Sequence, residues 1–145
     1  TLFIAPHDVV TTTMADWSQL REMAEAGIDI QYRFSKELTG ALRESDFPDR
    51  SALGQIMATL VSERERIETN IGQACRYLAY PEGKSAVLAI ILAEKAGFTG
   101  GFNRLGGSNP FYRHRFAIQR AGVRWDEPID SYRKHLTVFK KEVLR

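Results

Sequence analysis

The sequence predicts an α/β fold, a sheet or barrel of mostly parallel strands. Short apolar runs alternate with longer segments in which apolar residues recur every three or four positions, the pattern of strands alternating with helices. Glycine and proline stand between many of these segments, where such elements usually end. Strands that alternate with helices pair in parallel through right-handed crossovers. We therefore expect a single domain over residues 1–145.

The first half of the chain begins with a predicted strand at residues 2–5, a short apolar run. Asp16 is placed to cap the helix that follows, whose apolar side chains recur at helical spacing and whose C-terminal end is marked by Gly27. Residues 28–34 form the next predicted strand. Residues 39–50 contain a glycine, a proline and several charges, which predicts a loop over one rim of the fold.

The second half repeats the alternation. A long amphipathic helix begins at Ser51, and its charges, including Glu63, are expected on a solvated face. The helix predicted at residues 85–96 is apolar nearly all round and should be deeply packed. A closing helix is predicted at residues 129–144. Further strands are predicted at residues 77–80, 98–102 and 116–119.

Composition limits the classes of function. With 43% hydrophobic and 26% charged residues, the chain can bury a proper core. The formal net charge of +2 is spread along the chain, which does not predict nucleic-acid binding. No run approaches the ~18 apolar residues of a transmembrane segment. The single cysteine, Cys75, excludes an internal disulfide, and its position before a strand predicts a buried thiol.

Several motifs follow one another in an order that resembles a known family. Residues 77–84 (YLAYPEGK) form an apolar strand and a Pro-x-Gly turn before the helix at 85–96. That helix ends at Ala96-Gly97-Phe98. Residues 16–20 (DWSQL) begin an earlier helix. Over residues 2–119 the chain resembles the polysaccharide deacetylase (NodB-homology, carbohydrate esterase) family. The resemblance implies a partial or distorted (β/α) barrel, deacetylation of N-acetylated glycans at an Asp-His-His metal site, and an extracytoplasmic location.

The metal motif implied by the resemblance is altered in this chain. The family's His-x-x-x-His positions fall approximately on Arg33 and Glu37. Arginine cannot coordinate a metal because its guanidinium stays protonated, and Glu37 alone is a poor zinc site. The family's Asp-Asp motif lies on a strand before the one at residues 2–5, so we expect residues 1–145 to lack the first strand of the family fold. The site is predicted to be degenerate and to bind no metal.

The loop Tyr80-Pro81-Glu82-Gly83 is the second site element that the resemblance implies. In the family the backbone N–H after the proline helps to hold the developing oxyanion, and here Glu82 would oppose that negative charge. Alternatively, the Pro-x-Gly sequence only makes the turn from strand to helix. We expect Tyr80 to face a cleft and to stack on a sugar ring.

Three polar residues are further candidates at the rim. His7 and Asp8 follow the first strand, at the edge where parallel sheets and barrels bind ligands. Neighbouring strand residues point to opposite faces, so a rim hydrogen bond is favoured over shared catalysis. His114 lies between two arginines in a polar loop, where it either contacts a sugar or an acidic group or is simply solvated.

Two functions from different classes follow. The first is a deacetylase-like domain that binds or acts on N-acetylated glycans, is catalytically degenerate and needs no cofactor. The alternative is an active polysaccharide N-deacetylase that uses zinc or another divalent metal and has its acidic motif upstream of residue 1. A weaker third interpretation is an unrelated α/β protein. The sheet edge beside the first strand could be covered by a second subunit, which leaves a homodimer open.

Overall fold

The computed structural model describes residues 1–10, 14–35, 38, 50–80, 87–104, 109 and 113–135. Within them, one sheet is accompanied by four helices and a short 3-10 turn at Asp8–Val10. Three of the helices lie between strands, and the fourth follows the last strand. The strands are β1 (Leu2–Ile4), β2 (Ile30–Arg33), β3 (Tyr77–Ala79), β4 (Gly100–Asn103) and β5 (Ile118–Gln119). The helices are α1 (Trp17–Glu25), α2 (Arg50–Ile71), α3 (Val87–Lys95) and α4 (Ile129–His135).

The sheet is parallel throughout, and its strands lie in chain order, β1-β2-β3-β4-β5. The predicted α/β class with parallel strands is confirmed. Each strand pairs with the next one along the chain, and right-handed crossovers then place the intervening helices on the same face. This is the strand order of (β/α) barrels. The carboxyl ends of the strands consequently lie at one edge of the sheet, and the segments that follow the strands begin there.

The core lies between the sheet and this helical layer. Tyr32 pairs in register with Ile4 on one side and with Leu78 on the other. The Tyr32 ring stacks on Phe98 at 5.5 Å between centroids. Buried helical residues complete the core: Leu20, Ala24, Ile56, Leu60, Ile67, Ile71, Ala89, Leu92 and Ala93.

Local capping explains where α1 begins. The Asp16 carboxylate accepts a hydrogen bond from the Gln19 backbone N–H at 2.9 Å. The Gln19 side chain in turn accepts from the Asp16 backbone N–H at 3.0 Å, which completes a capping box. Gly27 ends the segment with φ of 93°, a left-handed conformation that glycine adopts without strain. Both predicted helix signals are confirmed.

The prediction that α3 is packed all round is wrong. Ala89, Leu92 and Ala93 are buried, whereas Val87 is 75% exposed and Ile91 is 44% exposed. Helices over a sheet in chain order form one layer, so α3 buries the side that faces the sheet and nothing described lies above its outer side. Among the helices of the described residues, none has the length and hydrophobicity needed to cross a membrane.

Candidate functional site

The ends of β1 and β2 bring two predicted site residues together. Arg33 is the last residue of β2, and Asp8 opens the 3-10 turn that follows β1. Arg33 Nη2 donates to Asp8 Oδ2 at 2.5 Å, a charge-assisted hydrogen bond. The two side chains are 39% and 38% exposed, so a ligand can reach the pair from solvent. The pair lies at the carboxyl edge of the sheet, where α/β proteins usually bind ligands.

The Arg33–Asp8 pair borders a cavity of about 150 Å³, which we call the β1 cavity. Its other described lining is apolar and includes Val9, Met14 and Leu20. The cavity can therefore hold a small apolar group while the guanidinium donates to a polar atom bonded to that group. Such a combination of an apolar wall and a few polar groups is typical of small-ligand sites.

The described residues at this edge do not fit a divalent metal. Arg33, which stands at the implied first histidine position, has no lone pair to offer, and its permanent positive charge would repel a second cation. Asp8 is already held by that guanidinium. Within the described part of the chain, no three His, Cys, Asp or Glu side chains are grouped to hold a metal ion. Glu37 lies outside the described residues.

Tyr80 lies in the core, which corrects the expectation that its ring faces a cleft. The residue is 3% exposed, and its ring stacks on Phe34 at 5.9 Å between centroids. Burial raises the pKa of the Tyr80 hydroxyl, which has no hydrogen-bond partner within the described structure. Gly101 provides the necessary space, because a Cβ there would lie 2.6 Å from that hydroxyl oxygen. The other loop residues, Pro81, Glu82 and Gly83, lie outside the described residues.

His7 and Asp8 are adjacent in sequence but line different cavities. Asp8 lines the β1 cavity, whereas His7 is exposed and lines a second cavity of about 320 Å³. His114 is held in the turn before β5, where its Nδ1 accepts from the Phe116 backbone N–H at 3.2 Å. Among the described residues, His114 makes no contact with Arg33 and lines neither of the two cavities.

The second cavity, which we call the α2 cavity, lies between the end of β2 and helix α2. Ser35 and Leu38 form one side of it, and Gln55, Thr59 and Glu63 line it from α2. Sequence reasoning missed Glu63 by assigning it to a solvated face. The i, i+4, i+8 spacing of these three polar helical residues was the available signal, because it places them in one row along the helix.

Tyr32 lies in the core, close enough to Glu63 for the two side chains to interact. It is fully buried, and its hydroxyl has no hydrogen bond of normal geometry within the described residues. Burial and the nearby Glu63 carboxylate both raise the pKa of this hydroxyl. The Glu63 Oε2 atom is buried, so the Glu63 side chain reaches inward from α2 and is not fully solvated.

Comparison with known proteins identifies the fold. No protein-family model and no curated protein matches the chain. Several solved structures do match. One is a de-N-acetylase from Aggregatibacter actinomycetemcomitans, with 18% identity and a TM-score of 0.68, covering 85% of this chain and 53% of that one. Two others are the Streptococcus pyogenes deacetylase PplD in complex with acetate (12% identity, TM-score 0.70, covering 90% of this chain and 54% of that one) and a polysaccharide deacetylase from Bacillus cereus (12% identity, TM-score 0.68, covering 90% of this chain and 39% of that one).

The chain spans about half the length of the first two of these structures. At this level of identity the likeness concerns the fold, including the parallel sheet that carries Arg33 and Asp8 at its carboxyl edge. The chain therefore has the fold of the polysaccharide deacetylases.

Proposed function

We propose that this deacetylase-like domain binds N-acetylated glycans at the carboxyl edge of its sheet and does not hydrolyse them. The deacetylase fold supports the class of ligand. The Arg33–Asp8 ion pair is the observation that supports the absence of hydrolysis. It places a paired cation where the resemblance implies a metal-binding histidine.

An acetamido group matches the β1 cavity. Its methyl is small and apolar, like the lining by Val9, Met14 and Leu20. Its carbonyl oxygen is a hydrogen-bond acceptor, and Arg33 stands at the same cavity with a guanidinium that has five N–H donors. Arg33 can thus donate to Asp8 and to the ligand carbonyl at the same time. Glycans without acetamido groups should bind more weakly.

Hydrolysis of an amide by this type of enzyme requires a metal that polarises the carbonyl and activates water. Arg33 can polarise a carbonyl but cannot bind and deprotonate water as a metal does. Its contact with Asp8 also keeps that carboxylate occupied. The described residues thus support recognition of the acetyl group more than its removal.

The test measures binding and acetate release in one zinc-supplemented preparation of the chain. We expect saturable binding of N-acetylglucosamine oligomers by calorimetry, weaker binding of glucose oligomers of equal length, and no acetate released. Zinc-dependent acetate release would instead establish the active deacetylase. Absence of binding to any N-acetylated oligomer would also overturn the proposal.

A further inference from the structure

Phe3 and Phe102 meet on one face of the sheet although their strands are not neighbours. β2 and β3 lie between their strands, β1 and β4, yet the two ring centroids are 5.4 Å apart. In a flat sheet these strands would be about 14 Å apart, because neighbouring strands are about 4.8 Å apart and side chains stand roughly perpendicular to the sheet. The sheet therefore curves around these rings, as in a barrel, and gathers side chains of distant strands on its concave face.

Two arginines lie side by side just past the ends of β4 and β5. Asn103 pairs in register with Gln119, so Arg104 and Arg120 are the next residues along these neighbouring strands. The Arg120 backbone N–H donates to the Asn103 carbonyl at 3.2 Å, which continues the pairing to this position. The Arg120 Nε–H donates to the same carbonyl, also at 3.2 Å. Both arginines are thus at the carboxyl edge of the sheet.

Arg120 reaches from the end of β5 to the aromatic pair on the concave face. Its guanidinium carbon is 5.1 Å from the centroid of the Phe3 ring, a cation–π contact. Phe3 also lines the β1 cavity, together with Arg33. A ligand that enters the β1 cavity is therefore separated from Arg120 by one phenylalanine ring.

We propose that Arg120 and Arg104 bind an anionic group, a carboxylate or a phosphate, carried by the same glycan whose acetyl group enters the β1 cavity. The inference rests on the proposed function, because it adds a second recognised group to that ligand. It assigns the domain a preference for acidic N-acetylated glycans.

Charge supports an anion at this position. Among the described residues, neither Arg104 nor Arg120 forms an ion pair with a carboxylate. Burial, together with the positive charge of Arg104, lowers the pKa of Arg120. A carboxylate or phosphate would offset the repulsion between the two cations and pair with both of them.

The Arg120 guanidinium has donors left for such a ligand. It carries five N–H groups, and within the described structure only the one on Nε is used in a hydrogen bond. The other four lie on the two Nη atoms, which can donate to two oxygens of one carboxylate or phosphate. The Nε hydrogen bond and the Phe3 ring hold the side chain in place before the ligand arrives, which lowers the entropic cost of binding.

The experiment measures the affinity of the whole chain for three tetrasaccharides by calorimetry, at low and at high salt. The first contains only N-acetylglucosamine, the second alternates N-acetylglucosamine with glucuronate, and the third contains only galacturonate. We expect the second to bind about 10-fold more tightly than the first at low salt. High salt should remove most of this advantage, because it screens charges at a partly exposed site. The third lacks acetyl groups and should bind more weakly than the second.

Variants assign the preference to the two arginines. Arg120→Gln should abolish the preference for the alternating tetrasaccharide and leave the affinity for the neutral one unchanged. Arg115→Gln is the matched control and should change neither affinity, because Arg115 also contacts a phenylalanine ring, at 5.3 Å, but is paired with Glu94. Arg104→Gln, at an exposed position, should reduce the preference a few-fold and serves if Arg120→Gln does not fold.

Competition tests a phosphate in place of the carboxylate. N-acetylglucosamine 6-phosphate and N-acetylglucosamine are each added to the chain before titration with the neutral tetrasaccharide. Stronger competition by the phosphate, lost in Arg120→Gln, would support the anion site with phosphate as its ligand.

The outcomes separate the two proposals. If the neutral tetrasaccharide binds and no acidic ligand gains affinity through Arg120, the anion site is overturned while the proposed function stands. If the galacturonate tetrasaccharide binds as tightly as the alternating one, and binding depends on Arg120, the anion site is supported and recognition of the acetyl group fails. If none of the ligands binds, both proposals are overturned.

Discussion

Arg33 and Asp8 join the carboxyl ends of two adjacent parallel strands through a 2.5 Å hydrogen bond between oppositely charged groups. The contact places a fixed cation beside a small apolar cavity at the edge where this fold class binds ligands. The Arg33 guanidinium would repel a metal ion but can donate a hydrogen bond to a carbonyl oxygen. The proposed binding of acetylated glycans depends on this pair.

Gly97→Ala should destabilise the domain more than Gly72→Ala. Both glycines have positive φ, 87° and 77°, so an alanine is strained at either position. A Cβ at Gly97 would also lie 2.1 Å from Arg64 Nη1, which donates to the Ala96 carbonyl at the end of α3. A Cβ at Gly72 would have no atom of the described residues within 4 Å, apart from the adjacent backbone. We expect losses of about 1 kcal/mol for Gly72→Ala and about 2 kcal/mol for Gly97→Ala in urea unfolding. Equal losses would show that Arg64 moves away at no cost.

Tyr80→Phe should stabilise the fold. Within the described residues the buried Tyr80 hydroxyl has no hydrogen-bond partner, and such a group carries an uncompensated desolvation cost. Removing the oxygen while keeping the ring against Phe34 should raise the free energy of unfolding by about 1 kcal/mol. The measurement is urea unfolding of both proteins. A loss of stability would mean that the hydroxyl makes a favourable contact.

Stability should fall as the pH rises from 8 to 10. Burial raises the pKa of the Cys75 thiol to about 12, whereas a thiol in the unfolded chain ionises near pH 9. Above that pH the unfolded state binds fewer protons than the folded state, so the free energy of unfolding decreases, by at most about 1.4 kcal/mol per pH unit. Cys75→Ala should show a shallower decrease over the same range. Identical slopes for the two proteins would contradict the assigned burial effect.

The sequence predicted the order and type of the elements because their signals are local. The spacing of apolar residues is read within each helix or strand, and the Asp16 cap and Gly27 lie next to the helix that they delimit. The packing of Tyr80 depended on distant positions, since its ring rests on Phe34 and its hydroxyl fits against Gly101. Its burial therefore could not be derived from the Tyr-Pro-x-Gly motif.

The candidate site was predictable only in part for the same reason. Arg33, Asp8 and His7 were identified as edge residues from their positions at strand ends. Their arrangement, with Arg33 bound to Asp8 and His7 in another cavity, depends on contacts between segments about 25 residues apart in the chain. Glu63 was missed because charged residues in an amphipathic helix are usually solvated.

The most direct test of the central claim is the affinity of Arg33→Ala for an N-acetylglucosamine oligomer, measured by calorimetry against the unaltered chain. Arg115→Ala is the matched control, because Arg115 also forms a partly exposed ion pair, with Glu94, but lines neither cavity. We predict that Arg33→Ala lowers the affinity at least about 10-fold, since a hydrogen bond from a charged donor to the acetamido carbonyl is lost, and that Arg115→Ala leaves it unchanged. Equal affinities for all three proteins would contradict recognition of the acetyl group by Arg33.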